Sequence, residues 1–125
     1  MKAFVDADLL IWHLRGESRA AAYLASLRKS RELWTTAMQR AEVVFFMRPE
    51  HAEKTLYFLS QFRTVPVDAE LTDAAAQLYR HWNPSHGIDI NDAFLAAAAI
   101  KAGGEIHTLN RKHYPMPHLK VFKAW

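Results

Sequence analysis

Four side chains in this sequence carry oxygen donors at places where a site could assemble: Asp6, Glu42, Asp92 and Asn110. Carboxylates without Cys or His partners select hard cations, Mg2+ or Mn2+, which take oxygen ligands and keep several waters. Such an ion polarises a phosphodiester oxygen and lowers the pKa of water near it, which makes hydrolysis feasible at neutral pH. Crowded acids in an empty site repel one another, so at least one should hold its proton unusually tightly. Two further acids have simpler readings. Asp8 suits the N-cap of a first helix, with a supporting role at the site as the lesser reading. Asp89 suits the cap before Asp92, with Asp92 three residues on as a short capping box. Asn110 on its own also reads as a turn residue.

The elements that must position these groups follow from the apolar pattern. Lys2–Val5 reads as a buried strand that ends at Asp6. A helix opens at Asp8 with Leu9, Leu10, Trp12 and Leu14, and Gly16 suits its C-terminal end. A second helix over Ser18–Lys29 places Ala21, Ala22, Leu24, Ala25 and Leu27 on its packing side. Glu32–Thr36 is a second strand, and a helix from Ala37 to about Met47 carries Glu42. Pro49 stops that helix or starts the next, which runs to about Phe62. Thr64–Val67 is a short strand, and Pro66 places it at a sheet edge or end. Asp68 caps a helix to about Trp82, and Asn83–Gly87 reads as a loop. The alanine-rich run from about Asn91 to Ala102 is a strong helix former that can pack closely, closed by Gly103-Gly104. Glu105–Thr108 is a fourth strand, Asn110–Met116 a turn-rich loop, and Lys120–Phe122 a last short strand.

Strands separated by helices imply an α/β fold with a mostly parallel sheet of four or five strands. In such sheets, sites form at the carboxyl ends of the strands. Asp6 ends a strand, Glu42 lies on the helix after one, Asp92 opens a helix, and Asn110 follows a strand. All four therefore fall where a site is expected.

Composition narrows the function classes. The 125 residues suit one domain, 1–125, with half of them apolar and 23% charged, as in a globular protein with a proper core. The absence of cysteine excludes a disulfide framework, a thiolate zinc site and a thiol nucleophile, and it fits a reducing cytoplasm. No apolar run approaches the roughly 20 residues of a membrane span. An acid at Asp6 comes too early for a signal peptide. The net charge of +3 permits an acidic partner without requiring one. The seven histidines lack the i, i+4 spacing of a zinc helix. Most read as surface or loop residues, with His113 the one placed to line a site.

Taken together, Phe4-Val5-Asp6-Ala7-Asp8-Leu9-Leu10-Ile11, Ala41-Glu42, Gly87-Ile88-Asp89-Ile90-Asn91-Asp92-Ala93-Phe94-Leu95 and His107-Thr108-Leu109-Asn110-Arg111-Lys112-His113-Tyr114 resemble a PIN domain. Within that family the likeness is to the VapC-type toxins of bacterial and archaeal toxin–antitoxin pairs. The resemblance implies a small three-layer α/β/α domain, an endoribonuclease dependent on Mg2+ or Mn2+, a homodimer, and inhibition by a cognate antitoxin. It assigns Asp6 and Asp92 as principal metal ligands and Glu42 as a ligand through water or the group that orients the attacking water. Asn110 stands at or near a position that is commonly acidic, and Ala7 where a small hydroxyl residue is usual. Arg15, Arg111 and Lys112 would hold the RNA backbone at the rim. Apolar residues on the first and third helices (Leu10, Trp12, Leu14, Phe45 and Phe46) read either as ordinary core packing or as more than one core needs, in which case an antitoxin segment would cover the surplus.

Two other readings compete. Phe4-Val5-Asp6-Ala7-Asp8 also resembles the nucleophile motif of haloacid dehalogenase-type phosphatases, with Asp6 attacking phosphorus and Asp8 as acid and base. Against this, the chain is short for that fold, lacks a well-placed Lys and leaves Glu42 without a role. The third reading is a non-catalytic RNA- or protein-binding module of the PIN type, motivated by Ala7 and Asn110.

Overall fold

The computed structural model describes residues 1–125 and builds them around one five-stranded sheet. The strands are β1 (Lys2–Val5), β2 (Glu32–Thr36), β3 (Arg63–Val65), β4 (Glu105–Thr108) and β5 (Val121–Lys123). Every neighbouring pair is parallel, and the spatial order is β3-β2-β1-β4-β5. The short β3, followed at once by Pro66, lies at an edge, where a missing backbone donor costs least.

The helices are α1 (Ala7–Leu14), α2 (Ser18–Arg28), α3 (Ala37–Val44), α4 (Ala52–Leu59), α5 (Ala69–His86) and α6 (Ile90–Ala102). They cover both faces of the sheet because β1 is apolar on both. Phe4 points to one side and joins the α5 and α6 residues Leu71, Ala75 and Leu95 with Ile106. Ala3 and Val5 point to the other and join Leu9, Leu10, Leu24, Leu27, Val43 and Leu59. Alternation along a strand sends successive side chains to opposite faces, so one central strand serves both cores. The result is the three-layer α/β/α arrangement.

Three expectations are corrected. Asp8 is not the cap of α1; the cap is Asp6, whose carboxylate accepts from the Ala7 N–H, and Asp8 lies in the first turn. On α2 the inward side is Ala20, Tyr23, Leu24 and Leu27, while Ala21, Ala22 and Ala25 are exposed. Alanine suits either side of a helix, so only the two leucines carried the phase. Residues 83–86 are not a loop, because α5 continues through Pro84 to His86 and ends at Gly87, whose φ is +64°. Proline lacks the donor for the carbonyl four residues back, here that of Arg80. Arg80 is exposed, so water can serve that carbonyl.

Candidate active site

The order of strands places the connections from β1 and β4 on opposite sides, and the crevice opens where they part, at the carboxyl ends of these two strands. Pairing of Val5 with His107 brings the next residues on each strand, Asp6 and Thr108, side by side. Thr108 Oγ1 donates to Asp6 Oδ2 at 2.9 Å. Asp6 Oδ1 accepts the Ala7 N–H at 2.7 Å, so the acid is held by the start of the helix it caps.

Asp92 arrives from the other side. Asp89 caps α6 by accepting the Asp92 N–H at 2.8 Å, and Asp92 Oδ2 accepts the Asp89 N–H at 3.1 Å. This reciprocal capping box fixes the first turn. Behind it, residues 93–99 are all buried, and the small side chains there let α6 lie close to the sheet and to α5. Tyr114 Oη closes the gap between the acids, 2.7 Å from Asp6 Oδ2 and 3.4 Å from Asp92 Oδ1. His113 Nδ1 sits 3.1 Å from Asp92 Oδ2.

Burial dominates the electrostatics. Loss of water, then repulsion from Asp8, pushes Asp6 up to about 7 despite the hydrogen bonds from Tyr114, Thr108 and Ala7. Loss of water, with repulsion from Asp89 and Asp6, pushes Asp92 up to about 8. Asp8 and Glu42 are also raised, each chiefly by burial. A set of carboxylates this reluctant to ionise is the expected state of an oxygen site that a divalent cation would charge.

The other expected site residues lie at different distances from this pair. Glu42 is half-buried on α3 and accepts from Asn91 Nδ2 at 2.8 Å, which ties it to the first turn of α6. A second link runs beside it: the buried Gln39 donates from Nε2 to the Asn91 carbonyl at 2.7 Å. Glu42 lines a cleft of about 620 Å³ together with Arg15, Arg48, His51 and Lys54. Asn110 is exposed and does not reach the acids; its side-chain Nδ2 lies 3.0 Å from His113 Nε2. The residue from this loop that touches Asp92 is His113. Arg111 and Lys112 are exposed in the same short turn. No three of the Asp, Glu and His side chains converge closely enough to enclose an ion alone. Water would therefore complete the shell, as Mg2+ favours. The donors fit such an ion: all are oxygen, and Asp6 Oδ1 and Asp92 Oδ1 are the least engaged.

Thr108 and Tyr114 are the residues that the sequence pattern did not reveal. A threonine closing an apolar strand and an aromatic in a turn both read as packing. The available signal was the strand register, which sets Thr108 beside Asp6. His107 is a different surprise, since it is buried on β4 rather than exposed, between Tyr23 at 2.5 Å and Glu105 at 3.1 Å. Arg31 pairs with that same glutamate.

Comparison with known proteins agrees with this architecture. The family model for the PIN domain matches residues 3–119. Ribonuclease VapC10 of Mycobacterium tuberculosis (strain ATCC 25618 / H37Rv) is 34% identical over 113 residues, covering 90% of this chain and 85% of the relative. Ribonuclease VapC19 of the same strain is 31% identical over 114 residues, covering 90% and 91%. Among solved structures, a toxin–antitoxin complex from Klebsiella pneumoniae has a TM-score of 0.83 at 19% identity, over 98% of each chain. VapBC2 from Rickettsia felis, bound to a DNA fragment from its promoter, has a TM-score of 0.79 at 22% identity, over 100% of this chain and 99% of that one.

Proposed function

This chain belongs to the PIN domain family, and from that premise we propose that it is a VapC-like toxin, an endoribonuclease that hydrolyses RNA phosphodiester bonds with Mg2+ or Mn2+. The observation that carries the reading is the meeting of Asp6 and Asp92 in the crevice beyond β1 and β4. They lie far apart in the sequence, both are buried, and each keeps one carboxylate oxygen lightly engaged.

A divalent ion, when bound, supplies a Lewis acid for the phosphodiester and lowers the pKa of nearby water. The protein's part is to place oxygen donors and substrate. Asp6 and Asp92 would hold the ion, and the cap, the capping box, Thr108 and Tyr114 keep those two carboxylates in place. Glu42, across from them and fixed by Asn91, joins through water or orients and deprotonates the attacking water. Burial raises its pKa above the ordinary carboxylate value, which makes it a better proton acceptor than an exposed glutamate. In this reading Arg15, which shares the cleft with Glu42, and Arg111 and Lys112, which precede His113, hold the RNA backbone.

The partner belongs to the same reading. Phe45 and Phe46 are 79% and 83% exposed just after α3, and Trp12 and Tyr57 are exposed as well. A cognate antitoxin would cover such a surface, a reading supported by the toxin–antitoxin complexes among the structural neighbours. The reading also includes a homodimer and action in the cytoplasm. No helix is long and apolar enough to cross a membrane.

The phosphatase reading loses ground at Asp8. Its Oδ1 accepts from Leu9 N–H at 2.6 Å, and its Oδ2 accepts from Leu109 N–H at 3.0 Å, with the Thr108 hydroxyl at 3.2 Å. An acid tied to two backbone amides is a brace between α1 and the loop after β4, not a free proton carrier.

The deciding experiment incubates the purified chain with cellular RNA, with and without EDTA, and sequences the new ends. Cleavage should vanish with EDTA and return with Mg2+ or Mn2+. Asp92→Asn should lose about a hundredfold or more, as expected when a central charged group is removed from a transition-state site. EDTA-resistant cleavage would sink the metal mechanism, full cleavage by Asp92→Asn would remove that acid from the catalytic machinery, and no cleavage by the wild type with either metal would favour the non-catalytic module.

A further inference from the structure

We propose that Tyr114 is a positioning residue for cation binding: its hydroxyl holds Asp6 by Oδ2 and so leaves Asp6 Oδ1 and Asp92 Oδ1 as the carboxylate oxygens open to a divalent ion. The proposal rests on the nuclease reading above. It follows from an accounting of lone pairs. Each carboxylate oxygen offers about two acceptor positions. Asp6 Oδ2 receives Thr108 at 2.9 Å and Tyr114 at 2.7 Å, so both of its positions are taken. Asp6 Oδ1 receives only the Ala7 N–H, so one position stays open.

The same count on Asp92 gives a matching result. Oδ2 receives the Asp89 N–H at 3.1 Å and faces His113 Nδ1 at the same distance. Oδ1 has only Tyr114, at 3.4 Å. The phenol carries one proton, and the nearer oxygen, on Asp6, takes it. Asp92 Oδ1 therefore keeps its positions open. Tyr114 is 4% exposed, and its ring packs in the core beside Met116 and the α6 residues, so the hydroxyl cannot swing away. A hydrogen-bonded partner behind a ligand fixes its direction, and loss of such a partner commonly weakens metal affinity by about 10–100-fold.

The test is Tyr114→Phe, which keeps the ring and deletes the hydroxyl. Mn2+ binding is titrated by calorimetry for wild type, Tyr114→Phe and Asp92→Asn, and thermal midpoints in EDTA report folding. Tyr114→Phe should fold, bind Mn2+ about tenfold more weakly, and recover RNA cleavage as Mn2+ is raised. Asp92→Asn should not recover. Unchanged affinity in Tyr114→Phe overturns the proposal. Tighter binding overturns it as well, since the hydroxyl would then be standing where the ion belongs. Failure of the wild type to bind Mn2+ sinks the nuclease reading and this inference with it. Normal wild-type binding with a silent Tyr114→Phe sinks this inference alone.

Discussion

At the scale of single residues, the site stores its tension in two carboxylates. The ordinary unfolded Asp titrates near 3.9, while folding pushes Asp6 up to about 7 and Asp92 up to about 8. Between about pH 4 and pH 8 the folded chain thus holds protons that the unfolded chain has released. Stability falls with pH wherever the native state binds more protons. The metal-free protein should therefore lose several degrees of thermal midpoint from pH 5 to pH 8. Asp92→Asn should flatten that slope and be more stable than wild type at pH 8. Mg2+ should raise the wild-type midpoint at pH 8, since a ligand of the native state stabilises it. Calorimetric melts in EDTA and in Mg2+ check all three, and a midpoint that rises with pH in EDTA would contradict the account. The positions of Asp6 and Asp92, at the carboxyl end of a strand and the start of a helix, were readable in the sequence, although an Asp at such a place also serves as a plain cap, as Asp89 does. Thr108 and Tyr114 were not, because a hydroxyl reveals its role only through the partner that folding brings to it.

At the scale of elements, the site depends on how α6 is stopped and turned. The helix ends at Gly103, whose φ of +68° only glycine adopts freely. The following Gly104 answers a different need. A Cβ there would lie 2.7 Å and 2.8 Å from two ring atoms of Phe4 and 2.9 Å from the Lys2 carbonyl oxygen. The ring is fully buried and the carbonyl belongs to β1, so neither can give way freely. Gly104→Ala should cost about 1–3 kcal/mol, the usual range for overpacking a filled core, read as a lowered urea midpoint at unchanged m. An unchanged midpoint would mean that the turn relaxes. The double glycine was visible in the sequence as a helix end, yet its second member's role was not, since that depends on Phe4 approaching from 100 residues away in the chain. The extension of α5 through Pro84 was hidden for a related reason. Local preference favoured a loop, and the exposed last turn tolerates the missing hydrogen bond.

At the scale of the whole molecule, all five strands and the parallel sheet were readable from strand–helix alternation, while their order was not. That order matters most, because it decides which strand ends face the crevice. The fold also gathers basic residues beside Glu42. Arg15 from the end of α1 meets Arg48, His51 and Lys54 beside Glu42 along one cleft, although they are scattered in the sequence. The formal charge of +3 understates this, since Asp6 and Asp92 are pushed toward neutrality while Arg15, Arg48 and Lys54 stand exposed. Each phosphate neutralised on single-stranded RNA releases counterions and adds about −0.7 to the slope of log affinity against log salt. Binding of a fluorescent RNA should thus weaken steeply with salt, measured by anisotropy in Asp92→Asn so that cleavage does not intervene. Arg15→Ala and Lys54→Ala together should make that slope shallower by about 0.7 for each phosphate no longer neutralised, with the acids' own titration unchanged. The same measurement on Arg111→Ala and Lys112→Ala asks whether the path continues past His113. If the slope moves only with the second pair, the RNA crosses the loop after β4 and the cleft beside Glu42 is left for the protein partner.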